Sequence, residues 1–253
     1  AWGGRVLIVD GATGAERQSI ALEGDVPGYS GIVFSADGQR LFVSGSRNLI
    51  WRLVRGADGS WALEEAMYLG DHVTPVGISW SRDGERLLVC FNRLNQVVAI
   101  DPASGEVLQT AEVGVAPFAA VEGPGGKIYV TNWGGRLPAA GDVTEPSGNA
   151  GQVVVDPFTR VASLGSVSIV DSARFEETGQ IEVGLHPCEM ALSPDDKTLY
   201  VACANSDVIH VIDTATDDVR DTIDVKPIRE LPFGCAPNAV ALAPNGATLY
   251  ASL

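Results

Sequence analysis

The stretch Pro187-Cys-Glu-Met-Ala-Leu-Ser-Pro-Asp-Asp-Lys-Thr-Leu-Tyr-Val-Ala-Cys-Ala-Asn-Ser-Asp-Val-Ile-His-Val-Ile-Asp213 reads as three short strands in succession. Pro187 can open a strand at a sheet edge, where its missing N–H costs no ladder bond. Asp195-Asp196 marks a tight turn, and Asn205-Ser-Asp207 a second connection. Asp213 closes the third strand and opens a turn, where its carboxylate can accept backbone N–H bonds. Val219–Ile223 supplies a fourth strand, so residues 188–225 form one four-stranded antiparallel unit.

The unit recurs. Turn pairs stand at Asp37-Gly38, Asp83-Gly84, Gly125-Gly126, Asp195-Asp196 and Asn245-Gly246, spaced by 46, 42, 70 and 50 residues. Asp-Gly and Asn-Gly predict two-residue hairpins with positive φ at both central residues. Pro75, Pro117, Pro187 and Pro237 precede the strand that leads into each turn, and Asp10, Asp101, Asp171 and Asp213 close the third strand. These aspartates read as turn caps, not catalytic acids. Each unit is strand a, hairpin, strand b, loop, strand c, Asp turn and strand d. Units fall at 30–70, 76–113, 118–183 and 188–225, with a c–d pair at 5–21 and an a–b pair at 238–252. A lone sheet of this kind cannot bury both faces, so the units must pack radially. The expectation is an all-β propeller of four-stranded antiparallel blades, filling residues 1–253 as a single domain. The two half units predict a five-bladed ring if they zip together. They predict part of a seven-bladed ring if the chain is a piece, which the end at Leu249-Tyr-Ala-Ser-Leu253 favours.

Composition excludes several classes. The net charge is −15, which repels phosphate backbones and anionic membrane surfaces, so no nucleic-acid partner is expected. No apolar run reaches the roughly 20 residues of a membrane span. Apolar residues are 45% of the chain, enough for a core. No zinc-type His or Cys spacing, nucleophile elbow, phosphate loop or haem attachment is present. No cofactor, metal or catalytic residue is therefore assigned.

Tyr129-Val-Thr-Asn132, with Tyr200-Val-Ala-Cys-Ala-Asn205, Leu88-Val-Cys-Phe-Asn92 and Phe42-Val-Ser-Gly45, resembles the YVTN-type β-propeller family. Val183-Gly-Leu-His-Pro187, Leu192-Ser-Pro-Asp195 and Val211-Ile-Asp-Thr-Ala-Thr216 extend the resemblance over nearly the whole chain. Trp133-Gly-Gly-Arg136, Val153-Val-Val-Asp-Pro157 and Leu231-Pro-Phe-Gly-Cys-Ala-Pro-Asn238 resemble a narrower group. These are bacterial secreted proteins in which a seven-bladed YVTN propeller precedes a phosphoesterase domain. The resemblance implies a periplasmic or extracellular location and a non-catalytic scaffold or binding role.

In such a meander the b–c and d–a connections share one face with the entrance to the central channel. A rigid scaffold presenting variable loops places binding there. Candidate ligand- or partner-binding residues on this face are Asn92, Asn132, Trp133, Arg136, His186, Glu189, Asn205, Arg229 and Asn238. The b–c insertion at about 134–165 exceeds ordinary loop lengths and reads as a channel lid or a contact to a protein partner or adjoining domain. The plainer reading is a solvated loop. A second function class stays open: a lactonase-like hydrolase with a divalent metal held by Glu189, Asn238 and Asn205. A cell-surface repeat protein is a third. His210 reads as packed between blades, and His72 and His186 as equivalent loop residues. Cys90 and Cys203 read as buried thiols, and Cys188 with Cys235 as a candidate disulfide.

Overall fold

The computed structural model describes residues 4–22, 27–148, 150–228, 230 and 234–253. The chain opens with a hairpin of β1 (Arg5–Val9) and β2 (Glu16–Ala21). The first full blade holds β3 (Pro27–Phe34), β4 (Arg40–Gly45), β5 (Leu49–Arg55) and a broken outer strand, β6 (Trp61–Leu63) and β7 (Met67–Tyr68), both paired to β5. The second holds β8 (Pro75–Trp80), β9 (Leu87–Phe91), β10 (Gln96–Ile100) and β11 (Val107–Glu112). The third holds β12 (Pro117–Glu122) and β13 (Lys127–Asn132), the inserted hairpin β14 (Thr144–Pro146) and β15 (Gln152–Val154), then β16 (Gly165–Asp171) and β17 (Glu176–Val183). The fourth holds β18 (Pro187–Leu192), β19 (Thr198–Cys203), β20 (Val208–Asp213) and β21 (Asp218–Asp224), followed by the hairpin β22 (Ala239–Leu242) and β23 (Leu249–Ser252). All pairings are antiparallel, as expected for blades of a propeller. The half units stand as separate two-stranded sheets: β1 pairs β2 and β23 pairs β22, and among the described residues no composite blade forms between them. No helix among these residues is long and apolar enough to cross a membrane.

Period-2 alternation sends each strand's side chains to both neighbouring blades. Along β9, Leu87, Val89 and Phe91 pack with Phe42, Ile50 and Met67 of the preceding blade. Leu88 and Cys90 pack with Ala120, Ile128 and Val130 of the next. Tyr129 and Val167 meet Leu199, Val201 and Ile212 in the same way. Each buried aliphatic side chain contributes about 1.5–3 kcal/mol. Polar ties reinforce the rim, because each Asp turn is gripped by the blade before it. Arg52 Nη1 donates to Ala103 O (2.6 Å) and Gln109 Nε2 to Ala173 O (3.3 Å). Lys127 Nζ and Tyr129 OH donate to Asp217 at 2.6 and 2.8 Å. The turn aspartates do cap: Asp101 Oδ1 accepts the Ala103 and Ser104 N–H groups, and Asp10, Asp171 and Asp213 repeat the pattern.

The a–b turns differ from the expectation. Both central residues have positive φ only at Gly125-Gly126. At the other four turns only the second residue does. There Gly38, Gly84, Asp196 and Gly246 donate N–H bonds to Ser35, Ser81, Ser193 and Ala243. The cause is the preceding acid or amide. Asp37, Asp83, Asp195 and Asn245 accept a backbone N–H two residues on, which holds them at negative φ.

Every innermost strand of a full blade carries a bulge just after its start, between Pro117 and Ala120 for example. A bulge frees an N–H from the ladder. In the first and third blades a hydroxyl at the end of strand b receives it: Gly31 N donates to Ser44 Oγ (3.1 Å) and Ala119 N to Thr131 Oγ1 (3.0 Å). Thr131 also donates to Cys188 O of the next blade at 2.8 Å. This is the role of the threonine in Tyr129-Val-Thr-Asn132. Thr131→Val strands both groups in a buried site and should cost about 1–3 kcal/mol in urea unfolding, whereas Thr131→Ser should keep most of that stability.

Candidate functional site at the channel mouth

The innermost strands surround a cavity of about 1050 Å³. Its wall is mostly small and apolar, with Ile32, Ile78, Ala120, Met190 and Val240 from successive strands. Backbones approach closely here. A Cβ on Gly77 would overlap Phe118 O, and one on Gly31 would overlap Val76 O.

The corner that leads into the strand repeats. The residue before proline has positive φ at Ala116 (56°), His186 (56°) and Ala236 (49°). This strained conformation belongs to the architecture, since alanine adopts it twice. His72 also has positive φ, but it lies three residues before Pro75, so it is not the equivalent of His186. Three corners align as Ala116-Pro-Phe-Ala119, His186-Pro-Cys-Glu189 and Ala236-Pro-Asn-Ala239. One blade thus brings an imidazole, a thiol and a carboxylate to positions held elsewhere by alanine, phenylalanine or asparagine. All three side chains border the cavity.

Trp133 joins them from the end of β13. Its backbone N–H donates to Ala116 O (3.1 Å), which ties the residue to the corner. The ring lies between Phe118 (centroids 4.6 Å apart, planes at 25°) and His186 (4.4 Å, 19°). Such stacked pairs contribute about 0.5–1.5 kcal/mol beyond burial. Burial lowers the His186 pKa below 6.5, so its imidazole is neutral at pH 7. Burial also pushes the Cys188 thiol up to about 11, with the Trp133 indole acting against the rise and the charge of Glu189 adding to it. The thiol donates to His186 O (3.4 Å), not to a ring nitrogen. A thiol held protonated is a weak nucleophile. Glu189 N–H meets Asn238 O (3.3 Å); strand b has Ala202 here and Cys90 in the second blade, where the first and third blades have the hydroxyls of Ser44 and Thr131. Asn238 Oδ1 accepts from Ser252 Oγ (2.7 Å), and Asn205 N–H from the b–c loop donates to Leu185 O (3.1 Å).

Of the candidate residues, Trp133, His186, Glu189, Asn205 and Asn238 therefore share the cavity. Three do not. Asn92 Nδ2 ties its loop to Pro117 O (3.1 Å). Asn132 is fully buried and bonds Ser166 and Ser168 of β16 (3.1 and 2.8 Å), because its position in the register faces the next strand of its own sheet. Arg136 pairs with Asp142 (2.7 Å), whose pKa is held at about 2 chiefly by that hydrogen bond. Arg229 and part of Leu231–Asn238 lie outside the described residues. Phe118 was missed as a cavity residue, and Cys188, expected only as a candidate disulfide partner, lines the wall as a free thiol. Aligning the three proline corners is the signal that finds them.

Much of the insertion is exposed, while its hairpin is packed on the body of the propeller. None of the described residues of 134–165 borders the cavity, although Trp133, just before them, does. The β14–β15 hairpin packs Val153, Val155 and Ala150 on Val115 and Ala116 of the neighbouring d–a loop, and Asn95 Nδ2 donates to Ala150 O (3.2 Å). Cys188 and Cys235 are free thiols, as are Cys90 and Cys203. The candidate bridge is not formed, because Cys235 Sγ turns away to Val225 O (3.2 Å). Among the described residues no three His, Cys, Asp or Glu side chains are placed to hold a metal.

Residues 134–233 match the family model of YNCE-like beta-propellers. Hydrazine synthase of Kuenenia stuttgartiensis superposes with a TM-score of 0.68 at 18% identity, over 98% of this chain and 67% of that one. A 6-phosphogluconolactonase-like protein of Bacteroides fragilis superposes with a TM-score of 0.62 at 20% identity, over 87% of this chain and 64% of that one. The chain thus spans about two thirds of the length of these two structures. No curated protein sequence matches it significantly. The match and the neighbours agree with the resemblance to YVTN-type propellers, and at these identities the neighbours speak for the fold alone.

Two expectations follow. Because neutral His186 is favoured, its contribution to stability is complete above pH 6.5 and is lost as pH falls through its lower folded-state pKa. Tryptophan emission should change over that same range through the Trp133 stack, and His186→Gln should abolish the transition. Thiol titration under denaturing, non-reducing conditions should count four free cysteines.

Proposed function

We propose that this propeller is a non-catalytic binding module of an exported bacterial protein, with its ligand site at the channel mouth. One observation carries the reading. A single blade presents His186, Cys188 and Glu189 where the other aligned corners have alanine, phenylalanine or asparagine, yet neither the thiol nor the imidazole is arranged for chemistry. The thiol is held protonated and donates to the His186 carbonyl oxygen, and the imidazole is stacked on an indole. A concave, apolar site with a few converging polar groups is the ordinary form of a small-molecule site. The partner or adjoining domain, which on this reading belongs to a phosphoesterase, is assigned to the insertion face. There Phe158 is 92% exposed in the Asp156 turn, and Val161 and Leu137 of the same insertion are exposed as well.

A second reading, a lactonase-like hydrolase, draws on Glu189, Asn205 and Asn238 sharing one cavity and on the lactonase-like neighbour. Turnover of δ-gluconolactone separates the two. The binding module should give no rate above buffer with or without Ca²⁺ or Mg²⁺, and neither ion should raise its Tm. A metal-dependent rate lost in Glu189→Gln would establish the hydrolase instead.

A further inference from the structure

A second cavity, of about 320 Å³, lies between the first two full blades and shares no lining residue with the channel. It sits beside the a–b turn at Ser35 and the c–d turn at Pro102-Ala103. Phe42 and Trp80 give it an aromatic wall, their rings edge-on with centroids 5.7 Å apart, and the Trp80 indole N–H donates to Phe34 O (2.6 Å). Arg52 is the unexpected lining residue. It pairs across its sheet with Phe42, whereas the matching residues Leu88, Tyr129 and Tyr200 pair with Ala99, Ile169 and Val211, all buried and aliphatic. The first full blade thus brings a guanidinium to a position that the other three fill with apolar side chains, and such departures from a local rule mark functional sites.

Two arginines line this slot, and the structure uses them differently. Arg52 is tied into the fold: its Nη1 donates to Ala103 O (2.6 Å), and its Nε lies 2.6 Å from Glu64 Oε2. The Arg40 side chain has no such tie among the described residues. Its counterparts Arg86 and Lys127 bond Gln109 Oε1 and Asp217, both at 2.6 Å, while Arg40 Nε stands 3.9 Å from the same Glu64 oxygen that Arg52 holds. Asp37 is close by, but its carboxylate accepts from Ser35 Oγ and the Gln39 N–H and does not line the slot. Two guanidinium groups therefore share one lining carboxylate.

We infer that this slot is a second binding site, one that takes a small aromatic monocarboxylate. The planar fork of Arg40 matches the edge of a carboxylate, and the Arg52–Glu64 pair need not break to admit it. The Phe42 and Trp80 rings suit a flat apolar body. The volume is at the low end for ligand sites and fits a single ring. One surplus positive charge answers a monoanion, whereas the second charge of a phosphate dianion would be set against Glu64. The net charge of −15 repels anions from the surface at large, so a slot lined by two cations is a local exception.

Three probes of similar shape test this: benzoate, benzamide and phenyl phosphate, titrated at pH 7 by calorimetry and by tryptophan emission, to which Trp80 contributes. Benzoate should bind at least about tenfold tighter than benzamide, as a charge-assisted bidentate contact requires, and tighter than phenyl phosphate. Arg40→Gln should erase the preference for benzoate while keeping the wild-type Tm, since an exposed pair at 3.9 Å adds little to stability. Added salt should weaken benzoate and leave benzamide unchanged. Benzamide or phenyl phosphate binding as tightly as benzoate would overturn the monocarboxylate class. A preference unchanged in Arg40→Gln would place the anion elsewhere and overturn the site, and so would binding by none of the three.

Discussion

A blade of this protein has two apolar faces and only its neighbours to cover them. Leu87 and Leu88 are adjacent in sequence, yet they are buried in different inter-blade cores. Neither core exists without the next sheet, so stability is a property of neighbouring pairs and not of single units. The same constraint sets the interior of the arc. Sheets that meet face to face draw their innermost strands together until Gly77 lies against Phe118 O. The channel is what remains when small residues let those strands approach.

Against that background the fourth full blade is informative. Its corner keeps the backbone of its neighbours, including the positive φ before proline, and changes the side chains. Ala202 lacks the hydroxyl with which Ser44 and Thr131 receive the bulged N–H in the first and third blades, and the Glu189 N–H meets Asn238 O of the following sheet. The departure is confined to the innermost strand and its partner. Along the outer strands this blade follows the others, from the Asp213 cap to the grip of Lys127 on Asp217.

Much of the fold was legible in the residues. The spacing of turn pairs, prolines and closing aspartates located four full blades and two half units, because those residue types act through their own backbone and need no distant partner. The turn type was misread for the same local reason: Asp37 spends its carboxylate on the Gln39 N–H, a use that an Asp-Gly pair alone does not display. The site was half legible. His186, Glu189, Asn205 and Asn238 could be placed by connectivity. Asn132 could not be separated from them, because whether an asparagine at the end of strand b points to a channel or to Ser168 depends on strand c, 36 residues away. The insertion looked irregular because its short strands pair only with each other and hold to the body through Val153 and Val155.

The left-handed corner before proline has a broader consequence. Its conformational cost is met by the blade architecture whether the residue is Ala116, His186 or Ala236. Backbone shape and side-chain identity are therefore uncoupled at that point on the rim. A new imidazole can be acquired there without redesigning the loop, and an old one lost without unfolding the blade. Recognition in such a molecule is portable: the same corner, repeated before Pro117, Pro187 and Pro237, offers successive sheets as the one that meets the ligand.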